Sequence, residues 1–432
     1  MPHGARIYNL FPPLVGKMST WETHLERIAG MGFNWIFLNP IHYPGFSGSL
    51  YAVKDYEALN PLFADSADPS PDEPVRRFVA ACEERGIGVM MDLVVNHTAK
   101  DSLLAAQHPD WFEHEPDGSL ASPYAVDPSD TRKRTVWADL AEIDYSDRPQ
   151  RAQIVAYFSE FIRHNIRLGV RGFRCDAAYK VSKDVWRGLI GAGRKERDDV
   201  LFIAENLGSL LEQALALRGA GFDYLFNSSK WWDFKQNWLL EQYEQFRSIA
   251  PSIAFPETHD TDRLINELVS NGVGDMRAIE RRYKNAYLFA AVFSAGVMIP
   301  IGYEYGFRRK LHVVNTRPED WEKPAFDLTG YIADINRMKA SLPVLNEEGP
   351  QRAILLGDHR IVCLLRRAMR GSAWTAVLIN SDYGAPATAK IEWLDGDIQE
   401  GREVTPGREG EPFRVNTDVT LAPGEVRVYA GR

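Results

Sequence analysis

Short apolar segments alternate with longer segments of helical periodicity through the first 340 residues of the chain. Apolar runs of a few residues, rich in β-branched and aromatic side chains, are typical of strands buried on both faces of a parallel sheet. The amphipathic segments between them, among them Thr20–Ala29 and Met276–Phe293, predict helices, and the alternation predicts βα units. Eight such units predict an α/β fold, a (β/α)8 TIM barrel. The eight predicted strands are Ile7–Leu10, Trp35–Leu38, Gly88–Val94, Gly172–Asp176, Leu201–Glu205, Asp223–Phe226, Ile253–Phe255 and Val297–Ile301.

Two regions depart from this alternation. Some fifty residues rich in Asp, Pro and His follow the third strand, and a connection of that length is too long for a simple loop. We predict a short inserted subdomain there. Near the end of the chain, short strands separated by turn residues, one of them over Phe413–Thr417, predict a C-terminal antiparallel β-sandwich domain. The predicted domains are residues 1–97 and 149–342 for the barrel, 98–148 for the subdomain and 345–432 for the C-terminal domain.

Composition and charge narrow the class of partner. The chain has 432 residues, of which 45% are hydrophobic and 25% charged, as in ordinary globular proteins. Its 59 acidic residues outnumber its 50 basic ones and leave a net charge of −9. This charge disfavours binding to phosphate backbones, so we expect no nucleic-acid partner. We also expect no membrane partner, because no apolar run approaches the ~20 residues that span a bilayer.

Cysteine usage and the N-terminal residues predict where the protein resides. Cys82, Cys175 and Cys363 are odd in number and form no C-x-x-C pair, which is typical of a reducing compartment. The N-terminal residues lead into the strand Ile7–Leu10 without the basic and apolar segments of a secretion signal. We therefore expect a cytoplasmic protein.

Carboxylates end three of the predicted strands, where barrels of this type place catalytic groups. Asp176 ends the fourth strand, Glu205 ends the fifth, and Asp260 follows the seventh. Arg174 precedes Asp176 by two residues and so points to the same side of its strand. Half-buried carboxylates cost several kcal/mol unless they are paired, and this cluster therefore indicates a functional site.

The spacing of two of these carboxylates predicts a reaction class. Adjacent strands lie about 4.8 Å apart, close to the ~5–5.5 Å between the two carboxyl groups of retaining glycosidases. We expect Arg174 to keep Asp176 ionised as a nucleophile. Glu205 has no such partner in sequence, so we expect it to have a raised pKa and to act as the acid.

Four segments in this order are similar to the signature regions of the α-amylase family, glycoside hydrolase family 13. Two further segments resemble the family's sequences after the second and eighth strands. The similarity extends over roughly residues 7 to 340, and four ordered motifs are far more specific than any single one. The segments are Asp92–His97, Gly172–Asp176, Ile203–Glu205 and Phe255–Asp260, with Tyr51–Tyr56 and Gly302–Gly306.

This resemblance implies a role for each matching residue. Asp176 would be the nucleophile that forms a covalent glycosyl-enzyme, Glu205 the general acid/base, and Asp260 the carboxylate that holds sugar hydroxyls in the transition state. From its place at the start of its motif, Asp92 is expected to order the backbone or Arg174 rather than to touch substrate. The substrate-binding residues would be Tyr51, stacked under the sugar ring, with His97, Arg174, His259 and Lys180.

Cofactor use follows from the same resemblance. No cofactor is required, and we assign no metal ligands. Asn96 occupies a position that in many members ligates a structural calcium ion, so a calcium site is left open.

The chain departs from the family pattern in three places, one of which is a loose subdomain motif over Leu140–Asp144. Thr258 stands where the fourth signature usually carries Asn, and Tyr179-Lys180 stands where amylases often show Lys-His. These positions touch acceptor subsites, so they bear on substrate size and on the choice of acceptor. The short subdomain resembles intracellular members that act on oligosaccharides.

The sequence predicts hydrolysis of α-glucosidic bonds in α-linked gluco-oligosaccharides. Glycosyl transfer by a transglycosidase is the alternative, since both reactions share the first half-reaction. A metal-dependent barrel hydrolase and a non-catalytic sugar-binding homologue are the less favoured alternatives. No His-x-His lies on the first strand and no H-E-x-x-H occurs, and all three carboxylates with Arg174 are retained.

An aromatic segment follows the sixth strand, at the start of a helix predicted over Trp231–Ser248. Trp231, Phe234 and Trp238 recur at i, i+3 and i+7, which is the spacing of a core-facing side. We therefore assign Trp231 to the core and take Trp232 as the better candidate for stacking against a sugar.

Overall fold

A closed barrel of eight parallel strands forms the centre of the molecule in the computed structural model. The structure describes residues 4–65, 71–127, 130–392, 394–396 and 398–431, so the first three residues of the predicted N-terminal segment lie outside it. Around the barrel the strand order is β1-β8-β7-β6-β5-β4-β3-β2. The strands are β1 Arg6–Asn9, β2 Trp35–Leu38, β3 Gly88–Leu93, β4 Gly172–Cys175, β5 Leu201–Ala204, β6 Tyr224–Phe226, β7 Ser252–Ala254 and β8 Gly296–Pro300.

The predicted TIM-barrel fold is confirmed. Each barrel strand lies within one residue of its predicted bounds at both ends. The agreement has a physical reason: all eight strands are buried, so each is a short, mostly apolar segment that stands out from the amphipathic helices around it.

Helices surround the barrel and bury one side against it. The five long helices are Asp72–Glu83, Pro149–Arg167, Lys183–Glu196, Met276–Phe293 and Thr329–Ser341. The shorter ones are Pro12–Val15, Met18–Trp21, Leu25–Gly30, Leu103–Gln107, Leu211–Ala216, Trp238–Phe246 and Leu264–Ser270. The predicted bounds of Met276–Phe293 are confirmed, whereas the short helix Leu264–Ser270 was not predicted.

Two helix predictions are wrong in extent. The segment predicted as Thr20–Ala29 consists of two short helices separated by a 3-10 turn over Glu22–His24. The helix predicted to begin at Trp231 begins at Trp238. The Asp233 carboxylate accepts the backbone N–H groups of Lys235 and Gln236 at 3.0 and 3.4 Å. Such side-chain to backbone bonds compete with helix formation and delay its start.

Two connections at the carboxyl ends of the strands carry structure of their own. After β2, the strands His42–Pro44 and Val53–Leu59 pair as an antiparallel ribbon. After β3, the strand His97–Ala99 pairs with Leu140–Glu142, and a hairpin of Tyr124–Asp127 with Asp130–Val136 projects between them. This second connection occupies the segment for which the sequence predicts the inserted subdomain.

The C-terminal part of the chain forms two antiparallel sheets. Six strands make the larger sheet: Gln351–Ile354, Ile361–Arg367, Trp374–Asn380, Glu400–Glu403, Pro412–Arg414 and Val426–Gly431. The strands Ala387–Ile391 and Thr417–Leu421 make the smaller sheet. Alternate residues of the larger sheet face different cores: Leu364 and Val377 pack with the barrel, whereas Leu365 and Leu378 pack with the smaller sheet. The predicted β-sandwich is thus confirmed.

Within the described ranges, no helix combines the length and the apolar character that crossing a bilayer requires.

Candidate active site

A cavity of about 500 Å³ opens at the carboxyl ends of the barrel strands. Side chains that follow β3 to β7 line it, together with residues from the connections after β2 and β3. The three predicted catalytic carboxylates meet there, as do three of the predicted substrate-binding residues beside Arg174. These wall residues are Asp176, Glu205, Asp260, Tyr51, His97, Lys180 and Arg174.

A buried ion-pair cluster forms the floor of the cavity. Arg174 is paired by the barrel register with Asp92 of β3, and its Nη1 donates to both Asp92 oxygens at 3.0 and 3.2 Å. The same Nη1 donates to Asp176 Oδ1 at 2.5 Å. The expectation that Asp92 orders Arg174 is confirmed. One buried guanidinium therefore holds the predicted nucleophile in place.

Glu205 lies on the neighbouring strand and is held by backbone donors. The N–H groups of Leu207 and Ala177 donate to its two oxygens at 2.6 and 3.1 Å. Ala177 follows Asp176 directly and has a left-handed backbone with φ of 40°, which is strained for a residue other than glycine. The strained turn thus connects the backbone after Asp176 to the Glu205 carboxylate.

Burial raises the pKa of two carboxyl groups of this cluster, Asp92 and Glu205, to about 7, and of these two only Glu205 lines the cavity. Three carboxylates surround one guanidinium, but the nearest Arg174 nitrogen lies 3.9 Å from Glu205 and 2.5 to 3.0 Å from the other two. Burial, together with the negative charge of Asp176, raises the pKa of Glu205 to about 7 although Arg174 opposes the shift. A carboxyl group that keeps its proton near neutral pH is suited to protonate a leaving group.

The Tyr51 hydroxyl connects the cluster to His259. It donates to Asp92 Oδ2 at 2.7 Å, accepts from Asn39 Nδ2 at 2.9 Å, and lies 2.9 Å from His259 Nε2. When the hydroxyl proton is directed at Asp92, the Nε2 of His259 is the donor to Tyr51. Its ring lies parallel to that of Tyr51, at an interplanar angle of 6°. Stacking of Tyr51 under a sugar stays a prediction.

Asp260 differs from the other two carboxylates in exposure. Its side chain is 63% exposed, and Oδ2 lies 3.1 Å from His259 Nε2. It is thus free to accept hydrogen bonds from ligand hydroxyl groups at the mouth of the cavity. Its assigned role on those hydroxyls stays a prediction.

Two further predicted binding residues stand in different settings. His97 is buried, lines the cavity, and neither ring nitrogen has a hydrogen-bond partner among the described residues. A ligand hydroxyl would satisfy such an unpaired group. Lys180 Nζ donates to the Tyr124 carbonyl oxygen and lies 4.8 Å from that ring. It therefore also tethers the hairpin that follows β3.

Thr258 shapes the loop that carries Asp260. Its Oγ1 accepts the backbone N–H groups of Asp260 and Thr261 at 3.2 and 3.3 Å. Threonine hydroxyls cap turns in the same way as asparagine side chains do. The substitution of the usual Asn by Thr thus keeps a side-chain cap on this turn.

The assignment of the two tryptophans after β6 is wrong. Trp232 is 7% exposed and packs with Phe289 and Phe293, whereas Trp231 is 51% exposed and lines the cavity. The helical spacing used for the assignment does not apply, because Trp231 ends a 3-10 turn outside the helix.

Asn96 is the residue at which the sequence leaves a structural calcium site open. Its Oδ1 is buried and has no hydrogen-bond partner within the described residues. Over those same residues, no group of three His, Cys, Asp or Glu side chains is placed to hold a metal ion. The donor set therefore does not fit a carboxylate calcium site, and no chemical step below runs through a metal.

The pKa of Glu205 predicts a pH-dependent stability. Because its folded pKa of about 7 exceeds the ordinary value of 4.5, its contribution to the free energy of unfolding is complete below about pH 4 and is lost as the pH rises through 7. Glu205→Gln cannot ionise. We therefore expect its free energy of unfolding to fall less between about pH 5 and pH 8 than that of the wild type, by up to about 3 kcal/mol.

Chemical denaturation at several pH values in this range measures the effect. The exposed Glu241→Gln is the matched control and should follow the wild-type curve. Parallel curves for wild type and Glu205→Gln would contradict the raised pKa.

Comparison with known proteins agrees with these motifs. The family model of the glucanotransferase domain of glycogen debranching enzyme matches residues 3–119. An alpha-1,4-glucan:maltose-1-phosphate maltosyltransferase of Burkholderia pseudomallei is 26% identical over 383 residues, covering 87% of this chain and 33% of the relative. A cyclomaltodextrinase of Geobacillus thermopakistaniensis is 24% identical, covering 91% of this chain and 68% of the relative. These matches, with the four ordered motifs, support the resemblance to the α-amylase family.

A solved structure shows the same fold over the whole chain. An alpha-amylase from Lactobacillus plantarum superposes with a TM-score of 0.75 and 20% identity, and 99% of each chain is covered. The maltosyltransferase is much longer, and this chain spans about one third of its length. The four signature segments of the family meet at one end of the barrel, around the cavity described above.

Proposed function

We propose that the protein is a retaining enzyme that cleaves α-glucosidic bonds of α-glucan oligosaccharides through a covalent glycosyl-enzyme on Asp176. One observation carries the proposal. A carboxylate bound to Arg174 and a carboxyl group of raised pKa stand at the ends of adjacent parallel strands, with Cys175 in register with Ala204 just before them. Retaining glycosidases need one group of each kind at this spacing.

In the first half-reaction, Glu205 donates its proton to the glycosidic oxygen while an Asp176 oxygen attacks the anomeric carbon. The bond to the leaving sugar breaks, and a covalent glycosyl-Asp176 forms. Arg174 keeps the attacking oxygen ionised and oriented. Glu205 is left as a carboxylate.

In the second half-reaction, the Glu205 carboxylate takes a proton from water while the water oxygen attacks the anomeric carbon. The bond to Asp176 breaks, and Glu205 regains its proton. Two successive displacements at the same carbon return the original α-configuration. Meanwhile His97 and Asp260 would hold sugar hydroxyls, since the His97 ring nitrogens have no hydrogen-bond partner among the described residues and the Asp260 side chain is largely exposed.

Hydrolysis is the reaction we propose first, and glycosyl transfer is the second candidate. A sugar hydroxyl in place of water would complete the same chemistry. The names of two matches favour transfer, since one is a maltosyltransferase and the other a glucanotransferase domain. The cyclomaltodextrinase favours hydrolysis.

The stereochemistry of the product tests the proposal. We expect maltooligosaccharides to give products whose newly formed reducing ends are initially α-anomers, because retention requires a double displacement. Proton NMR during the first minutes measures the anomeric ratio before mutarotation. Initial β-anomers would contradict the mechanism, and an absence of any cleaved or transferred product from maltooligosaccharides, maltose 1-phosphate and trehalose would favour a sugar-binding homologue.

A further inference from the structure

A second cavity, of about 460 Å³, lies apart from the candidate active site. It forms where the ribbon after β2 meets the helix Pro149–Arg167 and the start of the helix Asp72–Glu83. None of the described residues that line it also lines the active-site cavity. Its volume is within the range of about 300–1,000 Å³ that is typical of small-molecule sites. No step of the mechanism above uses this cavity.

A buried histidine lines this cavity with both ring nitrogens unpaired. His42 is 3% exposed, and neither Nδ1 nor Nε2 has a hydrogen-bond partner among the described residues. Burial, with the charge of His164, lowers the pKa of His42 to about 4. The ring is therefore neutral near pH 7 and offers one N–H donor and one acceptor nitrogen. Because an unpaired buried polar group lowers stability, it marks a place where a ligand group can bind.

Three aromatic side chains enclose the space beside this histidine. The His42 ring lies 5.2 Å from that of Phe161 and 5.9 Å from that of Tyr56, measured between centroids. Tyr157 lines the same cavity one helical turn before Phe161. Aromatic faces attract cations, and groups of such rings bind organic ammonium ions. The cavity thus places cation-binding surfaces next to a hydrogen-bonding ring.

Acidic side chains contribute the charges of the wall. Glu57, Asp72 and Glu160 line the cavity, and no lysine or arginine is among the described residues that do so. Arg163 and Arg167 pair with Glu160 at 3.0 and 2.5 Å. Glu57 and Asp72 are therefore the main sources of negative charge on this wall.

The negative charge acts on the aromatic part of the wall. Asp72 lies 2.9 Å from His164 Nε2, which neutralises it only when that histidine is protonated. Glu57 is exposed, and its charge and that of Asp55 add to the burial that raises the pKa of the Tyr157 hydroxyl. A negative potential beside an aromatic ring favours a cationic ligand over a neutral one.

We propose that this cavity is a binding site for a small organic cation that carries a hydroxyl group. The hydroxyl group bonds His42 at the buried end, where a hydroxyl can either donate or accept. The cationic group lies against the Tyr157 ring, near Glu57. This second site is independent of the proposed catalytic function, because its test requires no turnover.

Three small probes separate the two parts of the proposal. Choline has both the hydroxyl group and the charge. Dimethylbutanol, in which a carbon atom replaces the nitrogen of choline, keeps only the hydroxyl group, and tetramethylammonium keeps only the charge. In calorimetric titrations of the wild-type chain we expect a Kd for choline of about 1 mM or below, with the other two probes at least about tenfold weaker. An absence of choline binding, or equally tight binding of dimethylbutanol, would overturn the proposal.

Two variants locate the bound probe. His42→Phe keeps a ring but removes both nitrogens, so we expect choline to bind at least about tenfold more weakly. Its Tm should not fall, because the lost nitrogens have no partner among the described residues. Glu57→Gln removes one charge from the wall and should weaken choline binding about threefold.

The exposed Glu241→Gln is the matched control, since it removes the same charge away from the cavity lining, and it should bind choline as the wild type does. An unchanged affinity for choline in His42→Phe or in Glu57→Gln would overturn the proposal. The position of Glu57 at the exposed surface keeps this test decisive even if His42→Phe does not fold.

Discussion

Asp176→Asn should lower kcat on maltotriose by at least about 10⁴-fold. The amide still accepts the hydrogen bond from Arg174, which the carboxylate accepts at 2.5 Å, but it cannot form the glycosyl ester. The loss should be as large with α-maltosyl fluoride, because an activated leaving group does not replace the nucleophile. Steady-state rates on both donors measure the effect.

The control for this variant is an aspartate in an ordinary surface setting. Asp334 pairs with Arg337 on an exposed helix face, with a side chain that is 51% exposed. We expect Asp334→Asn to retain wild-type rates and both variants to retain the wild-type circular dichroism. A folded Asp176→Asn enzyme with a rate within tenfold of wild type would refute the assignment of the nucleophile.

Mass spectrometry gives a second, direct reading of the same assignment. Acid quenching during turnover of α-maltosyl fluoride should leave a maltosyl adduct on the peptide that contains Asp176. The adduct forms because the second half-reaction still requires activation of water by Glu205. An adduct on the Glu205 peptide would exchange the two roles.

Glu205→Gln should lower the rates on different donors by different factors, depending on whether the leaving group needs a proton. We expect kcat on maltotriose to fall about 10²–10⁴-fold, since the glycosidic oxygen leaves unprotonated. The first half-reaction of α-maltosyl fluoride should change much less, because fluoride leaves without a proton. The burst of fluoride that precedes steady state, measured by stopped flow, checks this difference.

The pH dependence of kcat/KM gives a second test of Glu205 as the acid. The proton on Glu205 is lost as the pH rises through its pKa of about 7, so wild-type kcat/KM on maltotriose should fall above about pH 7. The residual activity of Glu205→Gln should lack that alkaline limb. Equal losses on both donors, or a limb unchanged in the variant, would contradict the role of Glu205 as acid.

Local patterns predicted the barrel because its strands are buried on both faces. An isolated apolar run such as Trp35–Leu38 predicts a buried strand without information from the rest of the chain. Its bounds in the structure are identical to the predicted ones. Surface segments carry a weaker signal. The segment predicted as one strand over Phe413–Thr417 holds the end of one strand, a turn at Asn416 with φ of 70°, and the start of another.

The candidate site could be assembled from sequence because parallel strands end at one edge. Asp176 and Glu205 are far from Asp260 in sequence, yet each follows a barrel strand and so reaches the same cavity. No sequence pattern predicted the hydrogen bonds of the Tyr51 hydroxyl. Asn39 and His259 meet there only because the barrel closes.

The sequence by itself thus determined the order of the βα units and the residues that stand at strand ends, since both follow from local periodicity and burial. Only the tertiary structure decided which group keeps a proton, because the pKa of Glu205 depends on burial and on distances to Arg174 and Asp176. It likewise decided which tryptophan faces the cavity. Exposure of Trp231 is a property of the anchors around its turn, which lie on other elements of the fold.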